Sequence, residues 1–176
     1  MEIIVAIDKQ NGIGNNAKTP SLLYSLARDM HFFKEKTINN IVVCGRKTFD
    51  SFKDGKPLPN RKHLVLSHNN IDMDDVECFA NTENLLVRVK ELENQGNQVF
   101  VIGGASIYEQ LLPYCKGAYI TTILQTRKAT HHFPLEKLEN WPIDKIIDGG
   151  LDIDRLSNSM VEYVIMHFLN EHPMEY

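Results

Sequence analysis

The stretch Gln98-Val-Phe-Val-Ile102-Gly103-Gly104-Ala105-Ser106 contains the pattern on which the fold of this 176-residue chain is built. Its consecutive apolar residues Val99 to Ile102 predict a strand that is buried on both faces. Two glycines follow, and 105–112 has the pattern of a helix that ends near Pro113. A buried strand that turns into a helix through glycines is typical of α/β proteins with a parallel sheet.

The same alternation of strands and helices continues on both sides of this stretch. Apolar runs predict further strands at 2–7, 40–44, 63–67, 76–80 and 118–124. Helices are predicted at 22–36, at 46–52 and from Asn81 or Thr82 to Gly96, and the tail is strand-like at 144–147 and 161–168. We therefore predict an α/β fold with a mostly parallel central sheet, antiparallel C-terminal strands, and helices on both faces.

Size and composition limit the possible functions. A chain of 176 residues and 20.2 kDa predicts one domain over 1–176. A net charge of -4 argues against a nucleic-acid partner, and no apolar run is long enough to span a membrane. The N-terminus does not resemble a signal peptide. Because Cys44, Cys78 and Cys115 form no C-x-x-C pair, we expect neither disulfides nor zinc, and a reducing cytoplasm fits best.

One carboxylate, that of Asp29, lies among apolar residues in the segment Leu22-Leu-Tyr-Ser-Leu26-Ala-Arg-Asp29-Met30-His-Phe-Phe33-Lys34. The helical period places Leu26, Met30, Phe33 and also Phe32 on or near one apolar face, which Asp29 shares or borders. A carboxylate there costs desolvation energy unless something hydrogen-bonds it. The alternative is that Asp29 lies at the helix edge in water or stabilises the first turn through the helix dipole.

Two glycine-containing segments resemble phosphate-binding motifs, and one of them is the better match. Gly12-Ile-Gly14-Asn-Asn-Ala17 matches the dinucleotide fingerprint G-x-G-x-x-A, but 8–11 separate it from the strand and 18–21 oppose a helix. We therefore favour a flexible glycine loop there. Cys44-Gly45-Arg46-Lys47-Thr48 fits a phosphate site better, because two cations begin a helix directly after a strand. Its alternative is a solvated basic turn.

Three other motifs have weaker meaning when each is taken alone. Gly103-Gly104 lets a ligand approach the backbone closely, or is simply a tight turn. Pro57-Leu-Pro59-Asn-Arg61-Lys62 presents an arginine suited to binding a carboxylate, although most such arginines are surface residues. His131-His132-Phe133-Pro134 has no matching ligand cluster, so we predict structural histidines and no metal. Because ligands of open α/β sheets gather beyond the carboxyl ends of strands, the motifs at strand ends reinforce one another.

Taken together and in order, the motifs resemble the dihydrofolate reductase family in its bacterial single-domain form. The matching segments are Gly12-Ile-Gly14, Leu23 to Asp29 with Phe33-Lys34, Gly45-Arg46-x-Thr48-Phe49-x-Ser51, Pro57-Leu-Pro59-x-Arg61-Lys62, Ile102-Gly103-Gly104 with Ile107-Tyr108, and His132-Phe133-Pro134. The resemblance implies NADPH-dependent reduction of 7,8-dihydrofolate to 5,6,7,8-tetrahydrofolate, which supplies one-carbon metabolism. It also implies that antifolates bind and that the protein is a monomer.

The resemblance also implies roles for individual residues. Asp29 corresponds to the acid that holds the pterin and assists protonation, and its apolar neighbours predict a raised pKa. Tyr24 keeps a ring and a donor for a catalytic water, and Arg61 corresponds to the arginine that binds the glutamyl tail. The other residues implied for the folate site are Val5, Ala6, Leu26, Met30, Phe33, Phe52, Leu58, Ile102, Tyr108 and Thr121. Those implied for NADPH are Ala6, Ile13, Gly14, Gly45, Arg46, Lys47, Thr48, Ser67, His68, Ile102, Gly103, Gly104, Ala105, Ser106, Ile107 and Tyr108, with a cis Gly103–Gly104 bond.

Several residues depart from the family pattern. Leu23-Tyr24 replaces Pro-Trp, and Ala27 replaces a proline. The loop containing 17–21, which is the family's lid, is roughly three residues longer than usual, as surface loops can tolerate. Thr130 replaces an aspartate that latches this lid, so lid closure is expected to differ. Cys44 replaces a common methionine, and Ser106 replaces a frequent arginine, which predicts weaker binding of the cofactor phosphate.

The sequence leaves two alternatives open. The related pyrimidine reductase of riboflavin synthesis shares the fold and uses NADPH, but the Asp29 helix and the Pro-Leu-Pro-x-Arg segment favour folate. A non-catalytic protein that binds NADPH or folate, with a lid that no longer closes, would bind its ligands tightly without turnover. Comparing the two substrates while following NADPH absorbance separates these possibilities.

Overall fold

The strands of this protein are arranged mainly in one eight-stranded sheet. The computed structural model describes residues 1–15 and 22–176. Its strands are β1 Glu2–Asp8, β2 Gly12–Gly14, β3 Ile41–Gly45, β4 Lys62–Leu66, β5 Val76–Phe79, β6 Val99–Gly103, β7 Gly117–Ile123, β8 His131–His132, β9 Ile143–Asp154 and β10 Ser159–Leu169. The α-helices are α1 Ala27–Thr37, α2 Arg46–Asp50, α3 Thr82–Asn94 and α4 Ala105–Leu111. Short 3-10 helices lie at Lys53–Gly55, Leu112–Tyr114 and Leu135–Leu138.

The strand order confirms the predicted fold class. The large sheet has the order β5-β4-β3-β6-β1-β7-β10-β9. The first six strands in this order, β5, β4, β3, β6, β1 and β7, are all parallel to one another. Strand β10 is antiparallel to both β7 and β9. The antiparallel strands therefore come from the C-terminal part of the chain, as predicted. The short strands β2 and β8 form a separate antiparallel pair.

Helices cover both faces of the sheet, which the alternation along β1 makes visible. Ile3 and Val5 pack in the same core cluster as Leu85 of α3 and Leu111 of α4. Ile4, which points to the opposite face, packs in the cluster that contains Phe32 of α1. Both faces of this strand are thus buried, as its apolar run predicts.

The predicted ends of α3 are confirmed. The side chain of Asn81 accepts a 2.9 Å hydrogen bond from the backbone N–H of Asn84, which is a regular N-cap. Gly96 follows the helix with a φ of 88°, a left-handed conformation that costs glycine little.

The sheet opens where β1 and β6 diverge. Their pairing ends at Ile3 and Val101, whereas β1 and β7 stay paired as far as Asp8 and Ile123. The carbonyl oxygen of Ile4 instead accepts a 3.0 Å hydrogen bond from the Tyr108 hydroxyl. We call the space between the carboxyl-terminal halves of β1 and β6 the central crevice. Open α/β sheets bind their ligands at such a place.

The predicted helix at 22–36 is wrong at its start. Helix α1 begins at Ala27, and Leu26 has extended backbone angles and forms a bridge with Asp154. The N–H of Ser25 donates to Asp154 Oδ1 at 2.8 Å, and the N–H of Arg155 donates to the Ser25 carbonyl at 3.0 Å. These long-range hydrogen bonds hold the segment extended, although its apolar residues match the helical period.

The apolar face of α1 also differs in part from the prediction. Leu26 and Phe32 are buried and Phe33 is half-buried, but 42% of Met30 is exposed. Met30 therefore does not belong to the core.

The C-terminal strands are longer than predicted. Strand β9 continues through Gly149 and Gly150, where the sequence suggests an end, because β10 pairs with it along this length. In the described part of the chain, no helix has both the length and the apolar character that crossing a membrane requires.

Candidate active site

Asp29 lies in the first turn of α1 beside the strands that border the central crevice. The Thr121 side chain on β7 lies close enough to Asp29 to lower the pKa of its carboxyl group, and Thr121 pairs with Ala6 of β1. Burial raises the pKa of Asp29, and the Thr121 side chain only partly opposes this shift. The pKa of Tyr108 is also raised, first by burial and then by the Asp29 charge, which places the two side chains within electrostatic reach. The raised pKa of Asp29 agrees with the prediction.

The strand ends bring together residues that are far apart in sequence. Val5 and Ala6 lie on β1, Ile102 on β6 and Thr121 on β7, and these three strands are parallel neighbours. Their carboxyl-terminal halves therefore point in the same direction, and the predicted folate residues on them lie at the same edge of the sheet.

Arg61 is a buried cation at the edge of this region. Its Nε donates to Thr37 Oγ1 at 2.8 Å and its Nη1 to the Pro59 carbonyl at 2.7 Å. The guanidinium lies 5.8 Å from the centre of the Phe33 ring. Among the described residues no carboxylate pairs with Arg61, and burial lowers its pKa. A buried guanidinium with unused N–H groups is a strong site for an anion.

The remaining predicted folate residues differ in how deeply they are buried. Phe52 and Leu58 are half-buried, whereas Leu26 is 1% exposed and belongs to the core. Phe52 and Leu58 therefore offer apolar surface that a ligand can cover.

Two glycines allow a close approach at the ends of β3 and β6. A Cβ on Gly45 would lie 3.0 Å from Ile107 Cγ1, and one on Gly104 would lie 3.3 Å from Thr48 Oγ1. The first turns of α2 and α4 are thus tightly placed beside each other, together with Ala105 and Ser106. The peptide bond between Gly103 and Gly104 is cis, as the family resemblance implies.

The predicted cofactor cations lie on the surface at the start of α2. Arg46 and Lys47 are both exposed, and Arg46 Nε donates to the Asp50 carboxylate at 2.8 and 3.0 Å. An exposed pair at this helical spacing contributes little, so it does not prevent Arg46 from binding a phosphate. Ser67 and exposed His68 directly follow β4, and the Ser67 hydroxyl donates to the Asn69 carbonyl at 2.8 Å.

The base of the predicted lid is anchored by backbone pairing. Ile13 and Gly14 lie on β2, which pairs with β8, and the Thr130 N–H donates to the Gly14 carbonyl at 3.0 Å. His131 and His132 thus form a strand. Within 1–15 and 22–176, no group of three His, Cys, Asp or Glu side chains is arranged to hold a metal. The predicted lid change at 17–21, including Ala17 of the glycine fingerprint, lies outside the described residues.

Tyr24 lies in a cluster of charged side chains that sequence reasoning missed. Its hydroxyl is buried without a hydrogen-bond partner in the described part of the chain, and the Arg127 guanidinium lies 4.2 Å from its ring centre. Arg127 Nη2 donates to Asp154 Oδ2 at 2.7 Å, and the Arg127 N–H donates to Asp8 Oδ2 at 3.0 Å. Burial raises the pKa of Tyr24, Arg127 lowers it, and the two carboxylates raise it. No local pattern connects these residues, which come from distant parts of the chain.

Comparisons with known proteins agree with this geometry. The sequence model of the dihydrofolate reductase family matches residues 1–162. A dihydrofolate reductase of Buchnera aphidicola is 34% identical over 138 residues, covering 78% of this chain and 81% of the relative. One of Bacillus subtilis is 33% identical over 152 residues, 86% of each chain. The structure of Enterococcus faecalis dihydrofolate reductase complexed with NADP(H) and RAB-propyl aligns with a TM-score of 0.73 and 27% identity, over 97% of this chain and 96% of that one.

Proposed function

Because this chain belongs to the dihydrofolate reductase family and catalyses the NADPH-dependent reduction of 7,8-dihydrofolate, we propose that Asp29 holds the pterin ring for that reaction. The observation that carries the proposal is a carboxylate beside the central crevice whose pKa is raised by burial. Its two oxygens accept hydrogen bonds from the 2-amino group and the adjacent ring nitrogen of the pterin. Such paired hydrogen bonds fix the orientation of the ring.

The environment of Asp29 also suits a role in proton supply. A carboxyl group with a raised pKa exchanges protons closer to neutral pH than an ordinary aspartate. Asp29 thereby favours protonation of the ring nitrogen next to the carbon that is reduced. Thr121 moderates the rise in the pKa of Asp29, because its side chain favours the charged form of the carboxylate. The unpartnered hydroxyl of Tyr24 is proposed to hold a water on the path of that proton.

The apolar part of the site accommodates the rest of the substrate. We propose that the folate site is lined by Val5, Ala6, Met30, Phe33, Phe52, Leu58, Ile102, Tyr108 and Thr121, and that Leu26, which is 1% exposed, supports these residues from the core. Exposed Met30 then packs on the ligand instead of the core, which explains an apolar side chain that is left 42% exposed. Arg61 binds the carboxylate of the glutamyl tail with the N–H groups that its contacts to Thr37 and Pro59 leave unused.

The residues at the ends of β3 and β6 fit NADPH. The cofactor supplies the hydride when it is bound. The close packing at Gly45 and Gly104 brings the first turns of α2 and α4 side by side, and exposed Arg46 and Lys47 are suited to the phosphates of the cofactor. We propose the same role for Thr48, Ser67, His68 and Ser106, and contacts to the nicotinamide half for Ile13, Gly14, Ala105, Ile107 and Tyr108.

The remaining expectations concern the whole protein. We propose that residues 1–176 form one domain, because the first and the last strands belong to the same sheet. The three free cysteines support a cytoplasmic location, and the net charge of -4 supports the absence of a nucleic-acid partner. No membrane partner is expected, and a monomer is the state that the family resemblance implies.

The decisive experiment is a steady-state assay of the purified protein that follows NADPH absorbance. Dihydrofolate should be reduced, whereas the pyrimidine substrate of riboflavin synthesis should not be. Tight binding of both ligands without turnover would instead support a non-catalytic binding protein. Turnover only with the pyrimidine substrate would contradict the assignment of Asp29 to a pterin.

A further inference from the structure

His63, the second residue of β4, is a fully buried histidine next to the proposed tail site. Its Nε2 accepts a 3.1 Å hydrogen bond from the backbone N–H of Leu58. A ring nitrogen that accepts a hydrogen bond carries no proton, so the imidazole is neutral and its single proton lies on Nδ1. Leu58 is the residue whose side chain we assign to the folate site.

The surroundings of the ring show that this hydrogen bond is its main polar contact. Within 1–15 and 22–176, His63 Nδ1 has no hydrogen-bond partner. The ring lies edge-on to Phe49 and Phe52, with ring centres 5.9 and 6.0 Å away. Leaving a buried N–H unpaired is unfavourable, and an apolar ring would fill this space without that cost. The acceptor atom Nε2 is therefore what distinguishes histidine here from a simple core residue.

Charged neighbours do not disturb the neutral ring. Burial lowers the pKa of His63 to about 4, and the Arg61 cation acts in the same direction. The backbone carbonyls of Arg61 and Asp75 and the Asp75 carboxylate oppose this shift without reversing it. The ring consequently keeps its acceptor at neutral pH.

The hydrogen bond closes a short segment that ends in Arg61. Leu58 is attached to the His63 ring, and the next carbonyl, that of Pro59, accepts from Arg61 Nη1 at 2.7 Å. Asn60 between them has a φ of 57°, and its carbonyl accepts a 2.7 Å hydrogen bond from Asn39. The backbone that leads from Leu58 to Arg61 is therefore held by hydrogen bonds at each residue, and the carbonyl directly after Leu58 contacts the guanidinium.

We propose that His63 is a positioning residue for the p-aminobenzoylglutamate tail of the substrate. Its neutral imidazole holds Leu58 against the aromatic part of the tail, and through Pro59 it keeps Arg61 oriented toward the tail carboxylate. This inference rests on the proposed role of Arg61. It makes His63 a determinant of affinity for substrates that carry the tail, with no part in the chemistry at the pterin ring.

The test compares His63→Phe with His63→Gln, using dihydrofolate and a 6-methyl-dihydropterin that lacks the tail. Phenylalanine fills the space without an acceptor, whereas the glutamine amide places an oxygen near the position of Nε2. We expect the Phe variant to raise KM for dihydrofolate by about five- to tenfold, the range for one lost buried hydrogen bond. Its kcat, its KM for NADPH and its KM for the tail-less substrate should stay close to wild type. The Gln variant should recover most of the loss.

Phe49→Leu is the matched control, because it alters the same aromatic cluster without touching the Leu58 N–H. We expect it to lower stability without separating the two substrates. If His63→Phe does not fold, His63→Met provides a second variant without an acceptor.

The proposal is overturned if the variants without an acceptor change KM equally for both substrates or for neither, or if glutamine restores nothing. Its failure is distinguishable from failure of the Arg61 assignment. If Arg61→Leu changes KM equally for the two substrates, the assignment of Arg61 to the tail is itself contradicted. Separation by Arg61→Leu but not by His63→Phe rejects only the role of His63.

Discussion

The backbone N–H of Ser25 donates a 2.8 Å hydrogen bond to Oδ1 of Asp154, a residue 129 positions further along the chain. The entrance to the Asp29 helix is therefore held by the end of β9. Burial alone would raise the pKa of Asp154, but hydrogen bonds from Ser157, the Ser25 N–H and Arg127 hold it well below its usual range. The fully buried carboxylate is thus charged at neutral pH and joins three segments of the chain.

Asp154→Asn should destabilise the protein at neutral pH by about 3 kcal/mol, because it leaves the Arg127 cation without its buried partner. Since the pKa of Asp154 is lowered by folding, its contribution is present above the unfolded value near 3.8 and is lost as the pH falls further. Urea unfolding at several pH values measures this. Asp152→Asn is the control, because Asp152 accepts from the Arg28 N–H in an exposed position. Equal losses for both variants would exclude a special role for Asp154.

Asp29→Asn should reduce kcat with dihydrofolate by about a hundredfold or more at neutral pH, since it removes both the negative charge and the proton exchange. Its stability should hold or rise. Folding raises the pKa of Asp29, so the buried charge costs free energy above that pKa, and this cost disappears as the pH falls below it. Steady-state assays with dihydrofolate measure the change in kcat, and thermal unfolding measures the change in stability. Glu35→Gln, on the exposed side of the same helix, should leave both unchanged. Near-wild-type turnover of Asp29→Asn would remove Asp29 from the mechanism.

Arg61→Leu should weaken binding of folates by about tenfold or more, because it deletes a partly desolvated cation opposite the tail carboxylate. Pterins without the glutamate tail should bind almost as they do to the wild type. Fluorescence titration with both ligand types measures the difference. Similar losses for the two types would argue that Arg61 only supports the local structure.

Gly103→Ala should raise KM for NADPH by about tenfold or more, because the φ of 108° is unfavourable for alanine. Its Cβ would also lie 3.1 Å from the Tyr108 ring, which must then move. Gly55→Ala is the control for the backbone effect, since Gly55 has a φ of 62° and an open space around its Cα. An unchanged KM in Gly103→Ala would indicate that this turn does not contact the cofactor.

The stability of the wild type should increase as the pH rises from about 4 to 6.5, in part through His63. Folding lowers the pKa of this histidine, so the unfolded chain binds the proton more tightly, and the full contribution is present above 6.5. His63→Gln should reduce the increase in the free energy of unfolding between pH 4 and 6.5 by up to about 3 kcal/mol. Chemical unfolding at fixed temperature across these pH values tests it. A slope that His63→Gln leaves unchanged would mean that other groups titrate there.

Much of the fold is predictable because it depends on neighbouring residues. Buried runs such as 99–102 predict strands, glycines after them predict turns into helices, and Asn81 predicts an N-cap. The comparisons confirm the family that the order of the motifs suggests. Asp29 is noticeable in the sequence for a local reason too, since it interrupts an apolar face.

Local sequence patterns are therefore sufficient to predict the order of the main strands and helices, the family and the acidic residue of α1. The tertiary structure alone decided that α1 begins at Ala27, that Tyr24 lies under Arg127, and that His63 holds Leu58. Each of these depends on hydrogen bonds or ring contacts between side chains that the strand order brings together. Helical period and residue preference describe only positions that are close in sequence. The Asp154 carboxylate, in contrast, accepts a hydrogen bond from Ser25 across a sequence separation of 129 residues.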